Sequence, residues 1–143
     1  MNEAILQELL GCLSTAFSTR DIPGLLRLFS GTAGATYAGS EPAEKATGPD
    51  ELRALFSDLL ARPGTYSFEF RDVTFGEQSG LVWVLADGDG TETGGDGTTD
   101  TFPYRVSGVL VQEEARWRWL LLAGSEPAAP PASTSVDAAA SGP

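Results

Sequence analysis

Apolar residues in the first part of the chain recur at helical spacing. Ile5, Leu6, Leu9, Leu10, Leu13 and Phe17 fall three or four residues apart, which predicts an amphipathic helix over residues 3–19. Asp21 is placed to cap a short second helix carrying Leu25, Leu26 and Phe29. Pro23 is tolerated there because it falls in the first turn, where its missing N–H costs nothing. Gly31 and Gly34 end that helix, and residues 35–38 read as a short extended piece. A third helix starts at Gly48-Pro49-Asp50-Glu51, with proline at the first turn and acids at the positive end of the dipole. Leu52, Leu55, Phe56, Leu59 and Leu60 continue it, and Pro63-Gly64 stops it.

Beyond residue 64 the period changes to two. Tyr66, Phe68 and Phe70 alternate with Ser67, Glu69 and Arg71. The apolar parity then moves to Val73 and Phe75, which predicts a β-bulge near Arg71-Asp72 and a bent sheet. Residues 81–86 and 109–111 are continuous apolar runs, the pattern of strands buried on both faces. Phe102, Tyr104, Val106 and Gly108 alternate in the next strand, and residues 117–123 form the last one after a turn at 113–116. The stretch 87–100 is polar, acidic and rich in glycine, and reads as a long mobile hairpin loop. Helices first and strands afterwards predict an α+β fold, three N-terminal helices packed on an antiparallel sheet. Strands buried on both faces need a second cover besides the helices, and a second subunit in a symmetric dimer would supply it.

Composition narrows the partners. A chain of 143 residues is one domain, expected over residues 1–127. Residues 128–143, rich in Ala, Pro and Ser, are expected to be a disordered tail. Nine basic against 20 acidic residues give a net charge of −11 and no basic patch, so neither nucleic acid nor an anionic membrane is expected as a partner. Histidine is absent, which removes histidine-based acid–base pairs, triads and metal sites. Cys12 is the only cysteine, so no disulfide framework and no zinc site are expected, and no cofactor is called for. No apolar run approaches the ~20 residues of a membrane span. With no leader-like start either, the expected location is the cytoplasm.

Three segments carry a family resemblance: Phe17-Ser-Thr-Arg-Asp21-Ile-Pro-Gly-Leu-Leu26, then Gly48-Pro-Asp-Glu-Leu52 through Pro63-Gly64, then Arg105-Val-Ser107 running to Trp117-Arg-Trp-Leu and Gly124-Ser125-Glu-Pro127. Their order and spacing resemble the SnoaL-like group of the nuclear transport factor 2-like superfamily over residues 3–127. The resemblance implies a cone-shaped fold, a curved sheet around the helices with an apolar pocket inside. It implies a small hydrophobic molecule and a second copy of the chain as partners. Members include polyketide cyclases, ketosteroid isomerases, dehydratases, epoxide hydrolases and dimerisation modules, so the fold does not choose the reaction. Many relatives carry histidines near the end of the last strand, where this chain has Leu121 and Ala123. Any mechanism using them is out of reach here.

The candidate site residues follow from the chemistry such a pocket needs. Enolisation requires a carboxylate near an acidic C–H and a donor for the developing oxyanion. Glu69 or Asp72 is the candidate base, and Tyr37, or alternatively Tyr104, the candidate donor. Arg105 is the candidate anchor for a ligand carboxylate or ketone oxygen, with Trp83, Ser107 and Trp119 as further ligand contacts. Asp72, Arg105 and Asp87 are a conceivable set for water activation. Each has a plainer reading: solvated carboxylates on an alternating strand, an ion-paired arginine, and tryptophans in the core or at a subunit interface. The acidic loop resembles a calcium loop only in Asp87 and Asp89, since Glu92 stands where the invariant glycine belongs. The leading expectation is therefore a small-molecule-binding or accessory protein. The alternatives are a cofactor-free cyclase, isomerase or dehydratase acting on a polycyclic or keto substrate, and a dimerisation module without catalysis.

Overall fold

The structure, a computed structural model, describes residues 1–129. The predicted tail falls, from residue 130 onward, outside the described residues. The elements run α1 (Glu3–Ser18), α2 (Ile22–Arg27), β1 (Thr36–Ala38), β2 (Lys45–Thr47), α3 (Pro49–Leu60), β3 (Thr65–Gln78), β4 (Leu81–Thr93), β5 (Thr99–Glu113) and β6 (Arg116–Ser125). The architecture is α+β, as the order of patterns predicts.

Local chemistry sets the helix ends. Asn2 caps α1, its Oδ1 accepting from the Ile5 N–H at 2.9 Å. Asp21 caps α2 in the same way from the Gly24 N–H, also at 2.9 Å. This second helix is shorter than its apolar residues suggest. It stops at Arg27, because the backbone around Phe29 bridges to Trp119 of β6. In α3 the Glu51 carboxylate accepts from the Thr47 N–H at 3.0 Å, which ties the helix start to β2. Its far end is closed by Arg20, whose guanidinium donates to the carbonyls of Leu60, Arg62, Pro63 and Gly64.

The sheet has six strands in the order β2-β1-β6-β5-β4-β3. One correction concerns its beginning. The extended piece near residue 37 is β1; it pairs antiparallel with the unpredicted β2 and parallel with β6, so the sheet is mixed rather than purely antiparallel. The bulge predicted near Arg71-Asp72 is present, as a register shift between Phe70 and Asp72. A second shift lies between Val109 and Leu110, opposite β6. Each extra residue bends its strand, and the sheet curves without closing. On the concave face Val82, Val84, Ala86, Val106, Leu110 and Trp119 are buried against Leu6, Leu10, Phe17 and Phe56 of the helices. Phe56 is the hub of an aromatic cluster, with ring centroids 5.1 Å from Tyr37 and 5.5 Å from Phe29. Helix α1 also covers the β3 edge. Ser14 Oγ accepts from the Phe68 N–H at 2.8 Å, and Gln7 Nε2 donates to the Phe70 carbonyl at 3.2 Å.

A second correction concerns residues 87–100. They are not a long loop: β4 continues to Thr93, β5 begins at Thr99, and only a tight turn separates them. The glycines here admit neighbours rather than confer freedom. A Cβ on Gly88 would stand 1.9 Å from the Glu69 carbonyl oxygen at the bulge, and one on Gly90 would stand 2.5 Å from the Phe102 ring. Composition alone reads such a stretch as a loop, whereas pairing on both sides makes it a strand.

The continuous apolar runs are covered on one face by this chain. Val82, Val84 and Ala86 are buried, whereas Leu81, Trp83, Leu85 and, on β6, Leu121 are exposed on the convex face. No helix among the described residues is long and apolar enough to cross a membrane.

Candidate functional site

Strand alternation and the two bulges sort the candidate residues onto opposite faces. Phe68 and Phe70 point inward, so Glu69 points outward, where its carboxylate meets Arg71 at 3.3 Å. Beyond the bulge Val73 takes the inner parity and leaves Asp72 exposed on the outer face. The ladder aligns Asp72 with Asp87, and Asp87 with Arg105. These three residues do come together, but on the convex surface and away from any cavity. The Arg105 guanidinium is occupied by Asp87, with Nε–Oδ1 at 2.7 Å and Nη2–Oδ2 at 3.3 Å. Trp83 lies outward, 49 % exposed, with its ring over Gly76 on the neighbouring strand. Ser107 sits on the same face, in register with Leu85 and Ala123. Trp119 points inward but is completely buried in the core. Of the proposed set, Tyr37 and the alternative donor Tyr104 lie at the polar end of the interior, where Tyr104 lines a cavity and Tyr37 is buried behind it. The structure thus separates the carboxylates of Glu69 and Asp72 from the phenol they were expected to work with, because a side chain on a strand has only two faces to choose between.

The interior opens at one end of the curved sheet, where a cavity of about 80 Å³ lies between two helix ends, a loop and two strands. Phe17 and Leu59 come from the ends of α1 and α3, Glu41 and Glu44 from the β1–β2 loop, and Tyr66, Phe68, Phe102 and Tyr104 from β3 and β5. Glu44 is the residue that sequence reasoning missed. Only 9 % of its surface is accessible. Burial, followed by the neighbouring charge of Glu41, pushes its carboxyl above the usual carboxylate range. Arg62 pulls the other way, its Nη1 standing 3.3 Å from Glu44 Oε2. Gly39 makes room for the group, since a Cβ there would fall 2.1 Å from Glu44 Oε1. In the sequence Glu44 is one of two glutamates in a polar turn, and no local pattern distinguishes it from Glu41.

Two phenols accompany the carboxyl. Tyr37 is buried beneath the Phe56 ring, and burial, then Tyr104 and Glu44, push its hydroxyl well above its ordinary pKa. Tyr104 packs on Phe68 with centroids 4.9 Å apart, and burial followed by the charge of Glu44 pushes it up to about 12. Its hydroxyl reaches the β6 backbone at Gly124, where a Cβ would stand 1.9 Å away. Both phenols therefore stay protonated near neutrality. Tyr66, at the rim, is raised by burial and then by Glu92. The arrangement offers a ligand apolar walls, the neutral Tyr104 O–H and one carboxyl whose pKa is raised.

The SnoaL-like domain profile matches residues 6–129. Similar solved structures include a nuclear transport factor 2-like superfamily protein from Salmonella enterica, at TM-score 0.74 and 14% identity, covering 89% of this chain and 92% of that one. ActVI-ORFA from Streptomyces coelicolor superposes at TM-score 0.72 with 16% identity, covering 86% of this chain and 95% of that one. A ketosteroid isomerase-like protein from Erwinia carotovora atroseptica superposes at 0.69 with 21% identity, covering 90% and 100%. At such identities these likenesses show the nuclear transport factor 2-like fold. No curated protein matches the chain in sequence.

Proposed function

The chain belongs to the SnoaL-like domain family, and we propose that it binds a small, mainly apolar molecule carrying a carbonyl or hydroxyl oxygen at the mouth of the curved sheet. The observation that carries this reading is the nearly buried Glu44 carboxyl and the Tyr104 phenol lining an aromatic-walled cavity, with Tyr37 buried behind them. Polar groups so placed would orient a ligand whose body packs on Phe17, Phe68 and Phe102. The cavity of about 80 Å³ falls far below the ~300–1,000 Å³ of drug-sized sites. It favours a single-ring compound over a polycyclic one. The outer face with Leu81, Trp83, Leu85 and Leu121 is the surface we assign to a homodimer, since burying it would remove four exposed large apolar side chains from water.

Glu44 also favours a second reading, a cofactor-free isomerase or dehydratase. A carboxyl with a raised pKa suits proton transfer near neutrality. Glu44 would take the proton next to a substrate carbonyl, and the Tyr104 O–H would hold the developing oxyanion. A ketosteroid isomerase-like protein stands among the structural neighbours.

The test uses acetophenone, a single-ring aryl ketone. At 100 times its dissociation constant a ligand adds ~2.7 kcal/mol of stability, which corresponds to a rise in melting temperature on the order of 10 °C. Tyr104→Phe is expected to weaken binding roughly tenfold through the loss of one donor. Equal shifts in the wild type, Tyr104→Phe and Glu44→Gln would remove the site as drawn. For the enzyme reading, solvent deuterium should enter the acetophenone methyl group faster with protein than in buffer, and Glu44→Gln should abolish the difference. Sedimentation of Trp83→Arg, expected to be monomeric, checks the dimer.

A further inference from the structure

A second site, separate from the cavity under the sheet, lies between α1, α2 and the β5–β6 turn. The cleft there measures about 840 Å³, within the ~300–1,000 Å³ of small-molecule sites and about ten times the cavity of about 80 Å³ beside Glu44. Its floor includes Ile5 and Leu9, which the helical pattern assigns to a buried stripe and the fold leaves partly uncovered, together with Leu28 and Trp117. Ile5 is 39 % exposed, and Leu9, Leu28 and Trp117 are only half-buried. Ile5 and Leu9 stand four residues apart on one face of α1, so the apolar surface is continuous.

The rim of this cleft is basic in a chain that is otherwise strongly acidic. Among the nine basic residues, Arg62, Arg71 and Arg105 are paired with carboxylates. Arg20 is held by the carbonyls that end α3. Arg27 and Arg116, both exposed, have no ion-pair partner among the described residues, and both line the cleft. Arg118 joins them. It donates to the Arg27 carbonyl at 3.2 Å and stands 3.9 Å from Glu113, yet its buried Nε has no hydrogen-bond acceptor. Arg53 adds a further cation in the adjoining groove, which also shares Arg27 and Arg118. Two acids border the cleft. Asp21 is engaged as the α2 cap, which leaves Glu8 on the α1 side facing the arginines.

We infer that this cleft binds a small amphipathic organic acid, with its apolar body on Trp117, Leu9 and Leu28 and its carboxylate among Arg27, Arg116 and Arg118. Guanidinium groups pair with a carboxylate through charge-assisted, often bidentate hydrogen bonds. The hydrophobic part explains why the floor is apolar, and the acid head explains why unpaired arginines gather here. The cleft lies on the helical side of the sheet, away from the convex face assigned to the dimer.

Cys12, exposed and lining the same cleft, is the only cysteine in the chain and so reports on occupancy. The experiment follows the rate at which N-ethylmaleimide alkylates the full-length protein as decanoate is added. Decanoate is expected to slow the reaction at least fivefold at saturation, and decanol, which lacks the charge, to slow it far less. Arg27→Glu combined with Arg116→Glu should raise the half-protecting decanoate concentration at least tenfold at an unchanged melting temperature. Tyr104→Phe, in the other cavity, should leave protection as in the wild type. An alkylation rate indifferent to decanoate overturns the proposal whatever the variants do. So does equal protection by decanol, undiminished protection in the double arginine variant, or loss of protection in Tyr104→Phe.

Discussion

Gly88→Ala is the sharpest test of whether residues 87–93 form a strand or a loop. The added methyl would sit 1.9 Å from the Glu69 carbonyl oxygen and 2.7 Å from the Phe70 Cα. An ordinary carbon–oxygen approach is about 3.3 Å, so the β3 backbone would have to retreat by about 1.4 Å. Backbone in a ladder cannot rotate away as a side chain can. The retreat would break pairing at the bulge, where Glu69 faces Asp89 and Phe70 faces Gly88. Overpacking of this kind costs about 3 kcal/mol, a fall in melting temperature on the order of 10 °C. Gly90→Ala meets the Phe102 ring first, which can swing, and should cost about 1 kcal/mol. Gly95→Ala, in the turn, meets nothing within 4 Å and should be neutral or slightly stabilising, by at most about 1 kcal/mol. Thermal unfolding of the three variants, followed by circular dichroism, gives the order. Gly88→Ala melting with the wild type, or no lower than Gly95→Ala, would refute the strand assignment.

Two further outcomes are expected. The Glu44 carboxyl has a raised pKa in the folded protein, so folding is helped by its protonated form. That contribution is complete below the unfolded value of about 4.3 and is lost as pH rises through the folded one. The melting temperature of Glu44→Gln minus that of the wild type should therefore grow as pH rises from about 4 through the raised folded pKa, and a constant or shrinking difference would contradict the burial of this group. Arg20 holds the end of α3 through several carbonyls while its own backbone sits at φ 57, in the left-handed region. Arg20→Ala should lower stability by about 2 kcal/mol, read as a lower urea midpoint, and an unshifted midpoint would show that this end of the helix holds itself.

What the sequence by itself determined is local. The 3.6-residue period placed α1 and α3, the cap at Asp21 placed the start of α2, and the change of parity after Phe70 located the bulge. Each of these is a property of neighbours along the chain, and a side chain's face is set by its position in a helix or strand. The same logic, followed through the bulge, is what turns Glu69 and Asp72 outward. The glycine-rich half of β4 escaped this reading because its signal is composition, and composition does not record the partners that pair with it on either side. The candidate site was the tertiary structure's decision. Glu44 meets Arg62 from the far end of α3, and Tyr37 and Tyr104 approach from β1 and β5. A buried carboxyl and a solvated one look alike in a turn. Desolvation depends on which distant elements close over the group, and those contacts exist only once β1 has paired with β6 and the sheet has curved around the helices.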